Sequence, residues 1–383
     1  MNNKVEANDT SPLRVAQYIC SAGFYGAEKW TVALAANSVR DEVLHELLLT
    51  PDSDQTESQL SAEFVGLGLA VTEIPMKSRF DFGVVNDIVS YIQHNDIDII
   101  HTHGYKSDII GVLAARKSGI KCVCTPHGFD STSDIKLRLF NFIGRQSFRF
   151  FNKVVPLSQD LHDTVKRYGI KKQNLVLINN GVNLLEIDDA LRTNVTRSGD
   201  QSNSSSAFTI GFIGRLVSGK NLKDLIMVFA QLQINNPAIR LLLVGDGELR
   251  EELEDLAASA CVEATVEFTG FVSNTADYYT KLDLFVMTSV SEGIPRSIME
   301  AMAFGVPVVA YDIPGVNSLI ENEKTGTLVP LGDTEALYNA VQFVVNNTSS
   351  TTESTKRARE YLENNYSAVR MAREYSSLYF DMM

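Results

Sequence analysis

The stretch SVSEGIPRSIMEAMAFGVPVVA, residues 289 to 310, carries two carboxylates, Glu292 and Glu300, with seven residues between them. If Glu292 closes the loop after the apolar run Leu284–Met287 and Glu300 lies two turns into the next helix, both face one side of a cleft. One carboxylate then meets sugar hydroxyls and the other a ribose. Between them, Gly293, Ile294, Pro295 and Arg296 fall at a helix N-terminus, where free N–H groups and the positive dipole end favour a phosphate or a hydroxyl. Spaced glutamates alone describe many amphipathic helices. The argument for a site comes from the strand before them and the apolar strand Val306–Ala310 after them.

A second pair is cationic. In FIGRLVSGKN, residues 212 to 221, Arg215 and Lys220 follow an apolar strand and precede a helix. At the ligand edge of an open α/β sheet both cations can converge on a diphosphate without a metal. In the first half, ICSAGFYGAEKW puts Gly23 and Gly26 around Tyr25 after the strand Leu13–Cys20, and small residues there let backbone approach a ligand. Histidines mark two further strand ends, His101 and His103 in IIHTHGYKSD and His127 in CTPHGFD. Neutral imidazoles at such edges bond a sugar hydroxyl or steer an acceptor. His101 is equally well read as packed. His101 and His103 are read as pointing apart on their strand, which disfavours a metal. Asp52, Asp54, Asp96 and Asp98 form two D-x-D strings that read as solvated turns. Gly245 and Gly247 in VGDGEL lack the third glycine of a dinucleotide fingerprint.

Those residues need rigid sheets to hold them, and the pattern supplies two. The 383 residues suit two α/β cores rather than one. Strand-length apolar runs at Leu13–Cys20, Val43–Leu49, Ala70–Ile74, Ile97–His101, Lys121–Thr125, Lys153–Leu157 and Leu175–Ile178 alternate with helical segments. The alternation restarts at Phe208–Ile213, Ile239–Val244, Thr265–Thr269, Asp283–Met287 and Val306–Ala310, and ends in helices, the last about Ser367–Met383. The expected division is a first domain at 1–194, a flexible polar linker at 195–207, a second domain at 208–365, and a final helix at 366–383.

Composition narrows the function classes. A net charge of −13 disfavours nucleic acid as a partner. No apolar run reaches the roughly 18 residues that cross a bilayer, and the polar start MNNKVEANDTSPLR lacks a secretory core, so a cytoplasmic site is expected. Cys20, Cys122, Cys124 and Cys261 fit buried thiols in a reducing compartment, with Cys122 and Cys124 read as facing opposite ways. Against the acidic background, residues 135–153 hold Lys136, Arg138, Arg145, Arg149 and Lys153 and no acid, interleaved with large apolar side chains. That stretch suits an anionic membrane surface at the inner face of the cytoplasmic membrane, or equally an interior helix pair whose cations reach water.

Together GRLVSGK, SEGIPRSIMEAMAFGVPVVA, INNGVN at 178–183 and the early glycine loop resemble glycosyltransferase family 4, over about Leu13 to Tyr379. The resemblance implies the GT-B fold: two Rossmann-like α/β domains facing each other across a cleft, with the C-terminal helix crossing back to the first. It implies a retaining, metal-independent hexosyltransferase, without cofactor, that uses a nucleoside-diphosphate sugar and a glycan or lipid-linked acceptor in polysaccharide biosynthesis. By similarity Arg215 and Lys220 hold the diphosphate, Glu300 the ribose, and Glu292 with Gly293, Ile294, Pro295 and Arg296 the donor sugar. Phe271 and Val272 in TGFVSN offer backbone atoms to the base, and Gly26 joins the donor side. His127, with Glu292, Arg215 and Lys220, forms the reacting set; Gly23, Tyr25 and His103 lie on the acceptor side. Tyr25 departs from the family's frequent Gly-Gly-x-Glu, and Asn183 stands where aspartate is common. A sugar-nucleotide epimerase of the same fold and a non-catalytic sugar-nucleotide binder are the alternative readings.

Overall fold

The computed structural model describes residues 11–21, 23, 24, 26–51, 58–76, 81, 83–127, 142–198, 207–347 and 351–383. The chain divides into two compact units, residues 1–181 with 368–383, and residues 182–367.

The first unit alternates β1 (Leu13–Ser21), α1 (Gly26–Asn37), β2 (Val43–Pro51), α2 (Gln59–Gly66), β3 (Val71–Glu73), α3 (Val84–His94), β4 (Ile99–Thr102), α4 (Tyr105–Ser118), β5 (Lys121–Cys124), β6 (Lys153–Val154) and α5 (Gln159–Lys166). The strands form one parallel sheet in the order β3-β2-β1-β4-β5-β6. Strand periodicity sends alternate residues to opposite faces. Val15, Ile99 and Val123 pack with Trp30 and Leu34 of α1 on one side, whereas Ala16, Tyr18, Ile100 and Cys124 pack with Ile88 of α3 and Ile110 of α4 on the other. Local chemistry sets several helix ends. Ser158 caps α5 by accepting from Leu161 N–H at 3.2 Å, and Gly119 ends α4 at φ 76°, a left-handed conformation that favours glycine.

The second unit contains α6 (Leu184–Ser198), β7 (Thr209–Ile213), α7 (Leu222–Asn235), β8 (Arg240–Val244), α8 (Arg250–Ser259), β9 (Val266–Gly270), α9 (Ala276–Tyr279), β10 (Leu284–Met287), α10 (Arg296–Ala303), β11 (Val308–Asp312), β12 (Thr327–Pro330), α11 (Thr334–Asn346) and α12 (Thr352–Asn365). Its parallel sheet runs β12-β11-β10-β7-β8-β9. α13 (Ala368–Phe380) belongs to the first unit, where Met371, Ala372, Tyr375 and Tyr379 join the core containing Trp30.

Two expectations are corrected. The break falls between Gly181 and Val182, not at 195–207, and α6 belongs to the second unit. Val182 and Ile187 are buried in the second core and Asp188 pairs with Arg359 at 2.9 Å, which ties the start of α6 to the second unit. Residues 199–206 of the expected linker lie outside the described residues. Leu175–Ile178 is no strand: Val176 N–H reaches Val154 O at 3.1 Å and Leu175 makes an isolated bridge, leaving an irregular edge beside the short β6. The half-exposed edge strand β12 had no apolar run to announce it.

Candidate active site

In both sheets the order reverses at the first strand, so β1 lies beside β4, and β7 beside β10. Loops leaving the carboxyl ends of such a strand pair diverge and open a ligand-sized crevice. The residues singled out by sequence leave these strands: Gly23 and Gly26 after β1, His103 after β4, Arg215 and Lys220 after β7, Glu292 after β10.

In the second unit the loops after β7 and β10 are joined by hydrogen bonds. Thr288 donates its hydroxyl to Lys220 O at 3.0 Å, and Val290 N–H to Gly219 O at 3.0 Å. Lys220 ends a 3-10 turn, Ser218–Lys220, and its ammonium pairs with the Glu292 carboxylate, both groups being mostly buried. Asn221 follows at φ 47° and donates to Asp224 at 2.6 Å, while the Tyr311 hydroxyl donates to the same carboxylate at 2.7 Å. These bonds fix the start of α7 and with it the lysine backbone. Arg215 is exposed, with no ion pair among the described residues.

Helix α10 begins at Arg296 after Pro295, which is buried and gives the N-cap no side-chain hydrogen bond. Glu300 therefore stands just over one turn into the helix rather than two. Arg296 Nε donates to Glu300 Oε1 at 2.7 Å, so each glutamate has its own cation. Among the described residues Arg296 Nη1 and Ser289 Oγ are buried without a hydrogen-bond partner. Tyr279 stacks on Phe304 at 5.2 Å and 12° and donates to Ser297 O at 3.1 Å; burial, reinforced by the charge of Glu300, pushes its hydroxyl pKa well up. The surrounding loops touch backbone to backbone. A Cβ on Gly245, at φ 136°, would overlap Gly214 O, and one on Gly315, at φ 84°, would overlap Gly293 O. Gly293 itself is exposed and Ile294 half-buried. Phe271 is exposed just beyond β9, whereas Val272 packs on the core.

The first unit presents a different chemistry. His103 Nδ1 lies 3.2 Å from His127 Nε2, His103 Nε2 lies 2.7 Å from Gln17 Oε1, and Gln17 Nε2 lies 2.9 Å from His45 Nδ1. His101 bonds Tyr379 at 2.7 Å and Thr125 at 2.7 Å, and Thr125 bonds Tyr375 at 2.8 Å. Trp30 packs its ring against His101, His103, His127 and Tyr375, with centroids 5.2 to 5.8 Å away. Burial pushes the pKa values of His45 and His127 down to about 3, and those of His101 and His103 well below the ordinary value. A burial cost of that size keeps imidazole neutral at pH 7. Gly23 is half-buried, Gly26 opens α1, and Tyr25 lies outside the described residues.

His101 and His103 do not point apart, nor do Cys122 and Cys124. Residues i and i+2 of a strand share a face, and the two imidazole centroids are 4.4 Å apart while both thiols sit in the core beside α4. The sequence reading missed Gln17, Trp30 and His45. Their signal was polarity in apolar company: Gln17 and His45 interrupt β1 and β2 yet are 0% and 1% exposed.

The description "Glycosyltransferase Family 4" matches residues 25–185, and "Glycosyl transferases group 1" matches residues 197–364. The chain belongs to glycosyltransferase family 4. Among its relatives in this family, the Escherichia coli UDP-Gal:alpha-D-GlcNAc-diphosphoundecaprenol alpha-1,3-galactosyltransferase is 28% identical over 75% of this chain and 76% of its own. The Escherichia coli putative colanic acid biosynthesis glycosyltransferase WcaL is 29% identical over 70% and 67%. Among solved structures, Anabaena HepE in complex with UDP superposes with a TM-score of 0.77 at 21% identity, covering 96% of this chain and 100% of that one. This family member has the α/β GT-B fold.

Proposed function

We propose that this glycosyltransferase moves a hexose, with retention of anomeric configuration and without a metal, from a nucleoside-diphosphate sugar to a glycan or lipid-linked acceptor of surface-polysaccharide assembly. The carrying observation is the meeting of Lys220 and Glu292, which leave adjacent strands at the point where the second sheet reverses its order. In the reaction the bond from the anomeric carbon to the diphosphate oxygen breaks, and the leaving group gathers negative charge. Lys220 and Arg215 offset that charge; two cations, Lys220 held by Glu292 and Arg215 exposed, serve the purpose that a divalent ion serves elsewhere. Glu292 holds Lys220 in place and, on exchanging that partner for the phosphate, is free to accept from hydroxyls of the sugar. Glu300, oriented by Arg296, accepts from the ribose, and the backbone of Phe271 and Val272 faces the base. The amides of Gly293 and Ile294 and the start of α10 at Pro295 and Arg296 complete the donor side.

His127 and His103, with Gly23 and Tyr25, take the acceptor side. Support for the substrate class comes from relatives named for a diphosphoundecaprenol-linked substrate and for colanic acid, and from HepE, solved with UDP and with UDP-glucose. A radiolabelled nucleoside-diphosphate hexose, assayed with and without chelator, tests the reading. Acceptor-dependent release of nucleoside diphosphate and an anomerically retained product, both unaffected by chelator, are expected. Conversion of the donor sugar without an acceptor would support an epimerase instead, and binding without turnover a sensor.

For the place of action, the reading is the inner face of the cytoplasmic membrane. Among the described residues no helix is long and apolar enough to cross a bilayer. Residues 135–141 of the basic stretch lie outside the described residues; beyond them Phe142, Ile143 and Phe150 are exposed, with Arg116 over the Phe150 ring at 4.8 Å. Exposed aromatics beside cations suit an anionic headgroup layer. Co-sedimentation with anionic vesicles should fall when Arg145 and Arg149 become glutamate, and unchanged binding discards the idea.

A further inference from the structure

We propose that Gln17 sets the tautomer of His127 through His103, so that His127 presents an unprotonated Nδ1 and acts only as a hydrogen-bond acceptor. The meaning of that acceptor for a substrate rests on the proposed function above; the tautomer itself does not.

The five groups form one line of hydrogen bonds across strands β2, β1, β4 and β5. Ser38 donates its hydroxyl to Leu34 O at 2.9 Å and lies 2.9 Å from His45 Nε2. From His45 the line continues through the Gln17 amide to His103 and then His127. A neutral imidazole has one donor nitrogen and one acceptor nitrogen, and an amide has a donating and an accepting end, so fixing any one member fixes all the others. The Ser38 end decides the direction. Its single proton goes to Leu34 O, so the hydroxyl oxygen receives the proton of His45 Nε2. His45 Nδ1 then accepts from Gln17 Nε2, Gln17 Oε1 accepts from His103 Nε2–H, and His103 Nδ1 accepts from His127 Nε2–H. The reversed line would hand the Ser38 proton to His45 and leave two oxygens 2.9 Å apart with no proton between them, an unfavourable contact even at a half-buried site.

At the far end His127 is half-buried, and among the described residues its Nδ1 has no hydrogen-bond partner. A lone pair held there by the line of hydrogen bonds selects a hydroxyl donor over an anion. The low basicity of this imidazole keeps the selection in force well below neutral pH. Trp30, with its ring 5.2 Å from that of His127, packs against the imidazole.

The test is imidazole nitrogen NMR on the full-length protein labelled with 15N-histidine, with His127→Asn assigning the resonance. In the unsubstituted protein His45, His103 and His127 should all be Nε2–H tautomers. Gln17→Glu, whose carboxylate accepts on both sides, should reverse His45 and leave His103 and His127 as they were. Gln17→Met removes the acceptor, should leave His127 a mixture, and should lower kcat/KM about tenfold, the worth of one directed hydrogen bond. An Nδ1–H His127 in the unsubstituted protein overturns the proposal without any variant, as does a single unchanged tautomer in a folded Gln17→Met protein. If the tautomers are as stated but no sugar is transferred, the proposed function fails and this assignment survives.

Discussion

The two units use one topology for opposite electrostatics. At the strand reversal of the second unit stand two ion pairs, Lys220 with Glu292 and Arg296 with Glu300, beside the exposed Arg215. At the equivalent reversal of the first unit stand Gln17, His101, His103 and their partners, a buried network whose imidazoles are held neutral. On the function proposed above, the difference assigns the leaving group to one scaffold and the acceptor to the other. Fixed charges suit a leaving diphosphate, and uncharged donors and acceptors suit hydroxyl groups.

Acid breaks the comparison on the first-unit side, with the largest effect. The folded pKa of each of the four network histidines is depressed below the unfolded value, so its contribution is present above about pH 6.5 and is lost as pH falls below it. Asp108 runs the other way. Burial pushes its carboxyl up to about 7, so its contribution is present at low pH and is lost as pH rises toward 7. Four histidines against one aspartate leave a net fall in stability on acidification below about pH 6.5. Trp30, the single tryptophan, lies inside the network and reports on this unit by fluorescence. Its denaturant midpoint should drop steeply from pH 7 to pH 5, and a flat profile would contradict neutral buried histidines.

Lys220→Ala tests the charged side. On the proposed function it removes a cation from beside the developing diphosphate, and it should lower kcat by roughly 100- to 1,000-fold, as loss of one fixed donor does, with an unchanged thermal midpoint for the first unit. A fall of less than threefold would make the lysine structural. Asp108→Asn sharpens the first prediction. Its stability relative to the unsubstituted protein should rise by about 1.4 kcal/mol per pH unit between pH 4 and 7 and level off above, measured by urea titration. The smallest effect is expected of Arg296→Lys, which loses the planar Nε contact to Glu300. The Michaelis constant for the donor should rise about tenfold while kcat holds.

The two sites were unequally legible in the sequence, and for a physical reason. The second site is built from two short segments, 212–221 and 289–300, whose loops leave neighbouring strands, so local spacing already places the chemistry. The network of the first draws on Gln17, Ser38, His45, His103 and His127, which only the sheet order brings together. His103 and His127 were visible as strand-end histidines, but treating alternate strand residues as facing apart concealed that they act as a group. The alternation of strands and helices gave both sheets, whereas the edge strand β12 and the unit boundary before α6 rest on packing that composition does not encode.

The central claim concerns where the diphosphate lies. A crystal structure of the protein with a nucleoside diphosphate, grown with chelator present, should show phosphate oxygens within hydrogen-bond distance of Lys220 Nζ and the Arg215 guanidinium, with Lys220 released from Glu292. A diphosphate bound away from these two cations, or bound only when a divalent metal is supplied, would contradict it.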